Sequence, residues 1–190
     1  ASVSSGRRPF KGKPMSTSAS AQEVVFILSD VDGVLTDGGI IYDNQGIETK
    51  RFHTRDGLGI KLWTQAGFRF GLLTGRVSHI VKLRATELGI DPVRQGFEDK
   101  LPAACALLEE LDLTATQVCY IGDDLPDLPV MQHVGWGVAV ADAAPEVRAA
   151  ADYVTTTPGG QGAVREVIEF ALKAKQRWGE LLTRYGVEAR

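Results

Sequence analysis

The sequence predicts an α/β protein: a doubly wound, Rossmann-like parallel sheet from which one β-hairpin projects. Three observations carry that expectation. The run Val-Val-Phe-Ile-Leu at 24–28 is continuously apolar, as in a strand buried on both faces. Beyond residue 57, helix-like and strand-like segments alternate, which implies parallel strands joined by right-handed crossovers. The first strand ends in paired acids, Asp30 and Asp32, followed by Gly33, and open α/β sheets bind ligands at that end of their strands.

In chain order, residues 1–22 are rich in Ser, Gly, Lys, Arg and Pro and nearly free of apolar side chains, so a disordered arm is expected there. Met15 is a candidate natural start. Two β-rich runs at 40–42 and 47–52 flank the turn Asp43-Asn44-Gln45-Gly46 and predict the hairpin. A lone hairpin is marginal in water, so it is expected to pack on something, another subunit being a candidate. A helix follows over 57–66 with Asp56 as its N-cap. Then come a strand at 68–73, a helix at 78–88 closed by Gly89, and a helix at 99–111 with Leu101, Cys105, Leu108 and Leu111 on one face. A strand at 118–121, a helix at 125–133, a strand at 136–140, a helix at 143–150 and a short strand at 153–154 complete the alternation. Val164, Val167, Ile168, Ala171 and Leu172 give a last helix over 163–185 its apolar stripe. Residues 23–185 form one domain with a sizeable core, and 186–190 are expected to fray.

Composition narrows the function. At 190 residues, 44% hydrophobic and 24% charged, the chain has a globular profile. A formal net charge of -3 gives no electrostatic case for nucleic acid or an anionic membrane. No apolar run approaches the ~18 residues that span a bilayer, and no apolar core of a secretory signal is present. Cys105 and Cys119 read as core thiols of a reducing compartment, hence a cytoplasmic protein. His53, His79 and His133 are scattered, with none at metal-ligand spacing.

The chemistry sits at strand ends. Asp30 and Asp32 repel each other unless a cation or a shared proton holds them together, although Asp-Gly is also an ordinary turn. The strand at 68–73 runs into Thr74-Gly75-Arg76. The strand at 118–121 runs into Gly122-Asp123-Asp124, with Asp127 close behind, and Lys100 opens a helix. Adjacent strands would bring Asp30, Asp32, Thr74 and Asp123 to one crevice within reach of Lys100. Carboxylates and a carbonyl suit Mg²⁺. One acid could then attack phosphorus as a nucleophile while Thr74 and Lys100 hold phosphoryl oxygens. Asp32 could protonate the leaving oxygen and then activate water.

Asp30-Val31-Asp32-Gly33, Thr74-Gly75-Arg76, Lys100 and Gly122-Asp123-Asp124-x-x-Asp127 resemble, in order and spacing, the four motifs of the haloacid dehalogenase superfamily. Asp32 is the form typical of its phosphatases. The resemblance extends over 24–170 to the branch acting on 3-deoxy-D-manno-octulosonate 8-phosphate (KDO 8-phosphate). It runs through the hairpin, Thr54-Arg55-Asp56-Gly57-x-Gly59, Val138-Ala139-Val140-Ala141-Asp142-Ala143 and Gly159-Gly160-x-Gly162-Ala163-Val164-Arg165-Glu166. It implies no cap domain and a Mg²⁺-dependent phosphatase working through an aspartyl-phosphate. Asp30 would be nucleophile and metal ligand, and Asp32 acid/base and metal ligand through its carbonyl. Asp123 would be the third ligand, Thr74 and Lys100 would bind phosphate, and Asp124 and Asp127 would stand behind them.

The resemblance further implies a phosphorylated sugar acid as substrate and a homotetramer joined by hairpins. Arg55, Asp56, Gly57, Lys61, Gly75, Arg76 and Arg84 would contact substrate, and Gly159, Gly160, Gly162 and Arg165 would lie on a tail reaching an adjacent site. Arg84 reads equally as a solvated helix face. On composition alone, the glycine run before residue 163 is a flexible boundary or a generic anion site. Lys61, where the family often has Arg, and Leu58, often aromatic, leave substrate preference open between KDO 8-phosphate and a nine-carbon sialic-type 9-phosphate. A regulatory homologue without catalysis is the rival reading, which the intact motif residues oppose. A capless phosphatase for proteins or nucleic acids lacks a supporting basic patch.

Overall fold

The computed structural model describes residues 17–187. In chain order the strands are β1 (Phe26–Ser29), β2 (Ile41–Tyr42), β3 (Glu48–Thr49), β4 (Arg69–Thr74), β5 (Val93–Gln95), β6 (Val118–Gly122), β7 (Trp136–Ala139) and β8 (Tyr153–Val154). The helices are α1 (Thr17–Glu23), α2 (Thr54–Gln65), α3 (His79–Leu88), α4 (Lys100–Glu110), α5 (Leu128–His133), α6 (Pro145–Ala150), α7 (Ala163–Ala174) and α8 (Trp178–Thr183). Six strands make one parallel sheet in the order β5-β4-β1-β6-β7-β8. Chain order runs outward from β1 through β4 to β5, then returns to β6 on the other side. The reversal beside β1 is a topological switch point, where such sheets open a crevice. Ser29, the last residue of β1, stands level with Leu72 of β4 and Ile121 of β6, so the loops after all three strands converge.

Phe26, Ile27 and Leu28 are fully buried, as a strand covered on both faces requires. The stripe expected on α7 is realised: Val164, Val167, Ile168, Ala171 and Leu172 are all fully buried, and α7 packs against α2. Truncating Ile168 to Ala would cost about 2–5 kcal/mol through lost transfer energy and a residual cavity. Trp136, Tyr153 and Phe170 pack as tilted rings where α7 meets β7 and β8, with ring centroids 5.0–6.1 Å apart.

The hairpin is a separate two-stranded sheet. Asp43 shapes its turn: Oδ1 accepts from the amides of Gln45 and Ile47, each at 2.8 Å, and Gly46 supplies the left-handed residue at φ 77°. Between β1 and α2 the chain holds only this hairpin, so no cap domain stands over the crevice among the described residues.

Four expectations need correcting. The arm does not extend to residue 22: residues 17–23 form α1, whose Ala21 is buried against the core. Its first sixteen residues, Met15 included, lie outside the described residues, as do 188–190 of the expected fraying end. Helix α2 begins at Thr54, and its N-cap is His53, whose ring accepts from the Arg55 amide at 3.3 Å, in place of Asp56. The last helix is two. Gln176 takes φ 58°, and the amides of Gln176 and Arg177 turn back to Lys173 and Leu172 carbonyls at 2.9 and 2.8 Å. That Schellman closure usually uses glycine, and Gln176 hides it from the sequence.

Candidate active site

At the C-terminal ends of β1, β4 and β6 the surface opens into a cleft of about 650 Å³ lined by Asp30, Asp32, Thr74, Gly75, Arg76, Lys100, Asp123, Asp124 and Asp127, among others. Every motif residue expected at the crevice is therefore there. Backbone bonds set the first acid: the Asp30 amide donates to the Ile121 carbonyl at 2.9 Å, continuing the β1–β6 ladder one residue past the strand.

Lys100, the first residue of α4, is only 4% exposed and its ammonium lies between two carboxylates, 2.8 Å from Asp30 Oδ2 and 2.7 Å from Asp127 Oδ1. Burial pulls its pKa down, but Asp30 and Asp127 outweigh that and hold it above the ordinary lysine value. Asp127 is saturated. Oδ1 accepts from Lys100 and, at 2.7 Å, from the Tyr120 hydroxyl, while Oδ2 accepts from the amides of Asp123 and Asp124 at 2.9 and 3.2 Å. Four donors fill the lone pairs of one carboxylate. Burial holds Tyr120 well above the usual phenol range, so its hydroxyl stays a donor.

Asp30 and Asp123 are the opposite case. Oδ1 of each is buried with no hydrogen-bond partner. Burial, then the charge of Asp127, pushes Asp30 up to about 6 despite Lys100. Burial, then Asp127 and Asp30, pushes Asp123 up to about 8. Carboxylate oxygens of Asp30, Asp123 and Asp127 lie within 4.8 Å of one another. Orphaned, mutually repelling oxygens from two acids are the donor set a hard divalent cation satisfies, so the residues fit Mg²⁺. Close approach is built in with glycine. At Gly33, φ 91°, a Cβ would stand 2.0 Å from Asp123 Oδ2, and at Gly122 it would stand 2.4 Å from the Asp127 Cβ.

On the other wall, Thr74 ends β4, 2% exposed, and its hydroxyl accepts from the Arg76 amide at 3.4 Å. The Asp32 carboxylate pairs with Lys50 and stands 3.8 Å from Arg76 Nε. Glu48 joins them, with Oε1 2.8 Å from Arg76 and 3.4 Å from Lys50, and Oε2 accepting from the Ser78 hydroxyl at 2.6 Å. The Ser78 bond, with Lys50 and Arg76, keeps Glu48 below the usual carboxylate range against its desolvation. Lys50, Glu48, Ser78 and Tyr120 escaped the sequence reading. The period of an extended chain was the available signal, since Glu48 and Lys50 are two positions apart where β3 ends and so share a face.

Several expected contact residues are elsewhere. Asp56 is 1% exposed and accepts from the Arg165 amide at 2.7 Å, capping the N-terminus of α7. Gly57 makes room for Arg84, whose guanidinium a Cβ would meet at 2.5 Å; Arg84 pairs with Glu87 at 2.7 Å and lies 5.7 Å from the Phe52 ring. Arg55 and Lys61 are exposed on α2. None of these five lines the cleft of this chain. Within this chain the glycine run packs against the chain's own loops. The Gly160 amide donates to the Val34 carbonyl at 2.9 Å, the Gly159 amide to Asp142 Oδ1 at 2.9 Å, and a Cβ on Gly159 would stand 1.7 Å from the Gly33 carbonyl. This loop is sewn beneath the chain's own Gly33–Asp37 turn. Gly162, φ 112°, starts α7, and Arg165 pairs with Glu169 at 2.7 Å beside the Trp178 ring.

Residues 93–168 match the haloacid dehalogenase-like hydrolase family. The chain is 45% identical over 162 residues to the 3-deoxy-D-manno-octulosonate 8-phosphate phosphatase of Escherichia coli K12, covering 85% of this chain and 86% of that one. It is 46% identical over 157 residues to the Yersinia pestis phosphatase of the same name, covering 83% and 84%. Its fold superposes with a TM-score of 0.88 on the Moraxella catarrhalis phosphatase of that name, solved with magnesium, phosphate and KDO, at 42% identity over 89% of this chain and 97% of that one.

Proposed function

This chain belongs to the haloacid dehalogenase-like hydrolases, and from that premise we propose that it is a Mg²⁺-dependent phosphoric monoester hydrolase converting KDO 8-phosphate to KDO and phosphate. The observation that carries the reading is the pair of orphaned buried oxygens on Asp30 and Asp123 beside an ammonium already committed to Asp30. Such a site is short of positive charge and holds a carboxylate at the mouth of the sheet.

In this reading Asp30 Oδ attacks phosphorus, the P–O bond to the sugar breaks, and the departing oxygen takes a proton from Asp32. Asp32, now a carboxylate, takes a proton from water, which attacks the aspartyl-phosphate and releases phosphate with Asp30 restored. Thr74 and Lys100 bind the equatorial oxygens while charge shifts between them. Asp30 and Asp123, with the Asp32 carbonyl, would hold Mg²⁺, which when bound offsets the repulsion of the acids and polarises the phosphoryl group. Asp127 fixes Lys100 and the Asp123 backbone, and Asp124 caps the turn after β6 with its Oδ1 2.8 Å from the Leu125 amide. Gly75 and Arg76 line the cleft where the sugar acid would lie, and an Arg fork suits its carboxylate.

The reading includes a homotetramer assembled through the hairpin, supported by the apolar side chains of Ile40, Ile41 and Ile47, which are 48–58% exposed. Residues 23–185 act as one catalytic unit. A cytoplasmic location is supported by two free thiols, Cys105 and Cys119, and no described helix is long and apolar enough to cross a membrane.

The test is phosphate release from KDO 8-phosphate, a nine-carbon sialic-type 9-phosphate, a hexose phosphate and an aryl phosphate, with Mg²⁺ or chelator, beside Asp30→Asn. Preference for KDO 8-phosphate that vanishes with chelator and in the variant supports the reading. Preference for the nine-carbon ester keeps the chemistry and changes the substrate. No metal-dependent turnover would overturn the reading.

A further inference from the structure

We propose that Lys50 is a positioning residue for the reaction: with Glu48, it fixes the Asp32 carboxyl group so that, protonated, it can pass its proton to the leaving oxygen and, ionised, take one from water. This rests on the phosphatase reading and adds to it two residues outside the four motifs. Lys50 follows β3, and its side chain is 1% exposed, a burial that an ammonium tolerates only when paired. It pairs with Asp32 Oδ1, while Arg76 Nε stands 3.8 Å from Oδ2. Glu48 bridges the two cations, and Ser78, whose amide donates to Gln95 Oε1 at 2.6 Å, anchors Glu48 to the loop between β4 and α3.

With Asp32 ionised, two cations and two carboxylates make this group neutral; when Asp32 carries the proton it will donate, the group gains one positive charge beside the phosphate dianion. It also has consequences for direction. A free Asp32 would rotate about its side-chain torsions. The Lys50 contact opposes that motion from a rigid buried stem. With Lys50 removed, Asp32 keeps only the longer contact to Arg76.

The experiment uses the full chain with Mg²⁺ and compares Lys50→Met, which keeps the stem and loses the charge, with Lys50→Arg and Glu48→Gln. Each is assayed on KDO 8-phosphate, whose alkoxide needs a proton to leave, and on 4-nitrophenyl phosphate, whose phenolate does not. For Lys50→Met, kcat on the sugar ester is expected to fall about 100-fold, the scale of one general acid–base group, with KM changed less than about threefold. On the aryl ester, phenolate should appear in a burst of about one equivalent per site at near wild-type rate, followed by slow turnover, because only the water step then waits on Asp32. Lys50→Arg should recover most of the loss, and Glu48→Gln should show the same pattern at about tenfold.

Equal first-turnover losses on both esters, a change in KM alone, or no recovery with Arg would overturn the inference. If Lys50→Met does not fold by its melting curve, Glu48→Gln decides on the same criteria. A wild type inactive on every ester would strike the phosphatase reading itself. An active wild type beside an unaltered Lys50→Met would strike the Lys50 assignment alone.

Discussion

Two ionic groups meet at the cleft, and they are built on opposite principles. At the ends of β1 and β6, three carboxylates, Asp30, Asp123 and Asp127, cluster around one ammonium, Lys100, which pairs with Asp30 and Asp127. At the root of the hairpin, two carboxylates, Asp32 and Glu48, meet two cations, Lys50 and Arg76. The second group is closed on its own terms. The first has a charge deficit and two orphaned oxygens, so it is completed only by something from outside. A buried charge cluster left unbalanced costs stability, and the location of the imbalance marks where the chemistry is.

The largest test of that contrast is Asp30→Asn. It removes the attacking oxygen, and kcat for phosphate release should fall by roughly four orders of magnitude or more, with the melting temperature changed far less. Next come two substitutions four residues apart that should act in opposite directions. Asp127→Asn takes an acceptor from Lys100 and Tyr120 and leaves a buried ammonium half-paired; about 3–5 kcal/mol of stability should be lost, read by denaturant titration. Asp123→Asn relieves repulsion, so the metal-free protein should melt higher at pH 8 than the unaltered chain, while losing its response to Mg²⁺.

The pH dependence follows with a defined sign. Asp30 and Asp123 are pushed up to about 6 and about 8 from an ordinary 3.8. The folded state therefore binds their protons more tightly than the unfolded state. That contribution is full below about pH 4 and is lost as pH rises through 6 and 8. Without metal, the melting temperature should fall by several degrees between pH 5.5 and 8.5, and the increment given by Mg²⁺ should grow over the same interval. An equal increment at both ends would mean that the three-carboxylate cluster is not where the cation binds.

The contrast also marks what the sequence could reveal. Asp30, Thr74, Lys100 and Asp123 follow strands or open helices, so a linear reading of strand ends finds them. Their adjacency needs only that β4, β1 and β6 be neighbours, as the crossover rule makes natural. The hairpin quartet is different, since Glu48 meets Ser78 thirty positions away only because a two-stranded hairpin folds down over the β4 loop. Asp56 deceived for a similar reason: it sits where a helix N-cap should be, yet its carboxylate is captured by the start of α7, 109 residues further on. On composition, the glycines at 159 and 160 read as a flexible boundary or a generic anion site. Here they serve close packing against the Gly33–Asp37 turn. Non-local capture of a side chain leaves no periodic trace.

The smallest expected effect on chemistry comes from the far side of the hairpin, and it joins the two groups. Glu48 and Lys50 turn toward Asp32 and Arg76, whereas Ile41 and Ile47 lie on the alternate positions and are 51% and 58% exposed. Replacing both with Asp touches neither cluster, so Mg²⁺ stabilisation should persist unchanged. If the outer face is the seam between copies, light scattering should show a shift from tetramer to smaller species, since charge on an apolar interface is strongly unfavourable. A hairpin of two short strands is marginal by itself, and its root carries Lys50. Loss of the seam should therefore loosen Asp32 as well, lowering kcat about two- to tenfold on the sugar ester and less in the first turnover of an aryl phosphate. A tetramer that survives the two Asp residues would place the seam elsewhere. A dissociated protein with unaltered kcat would show that the quartet holds Asp32 without support from a neighbour.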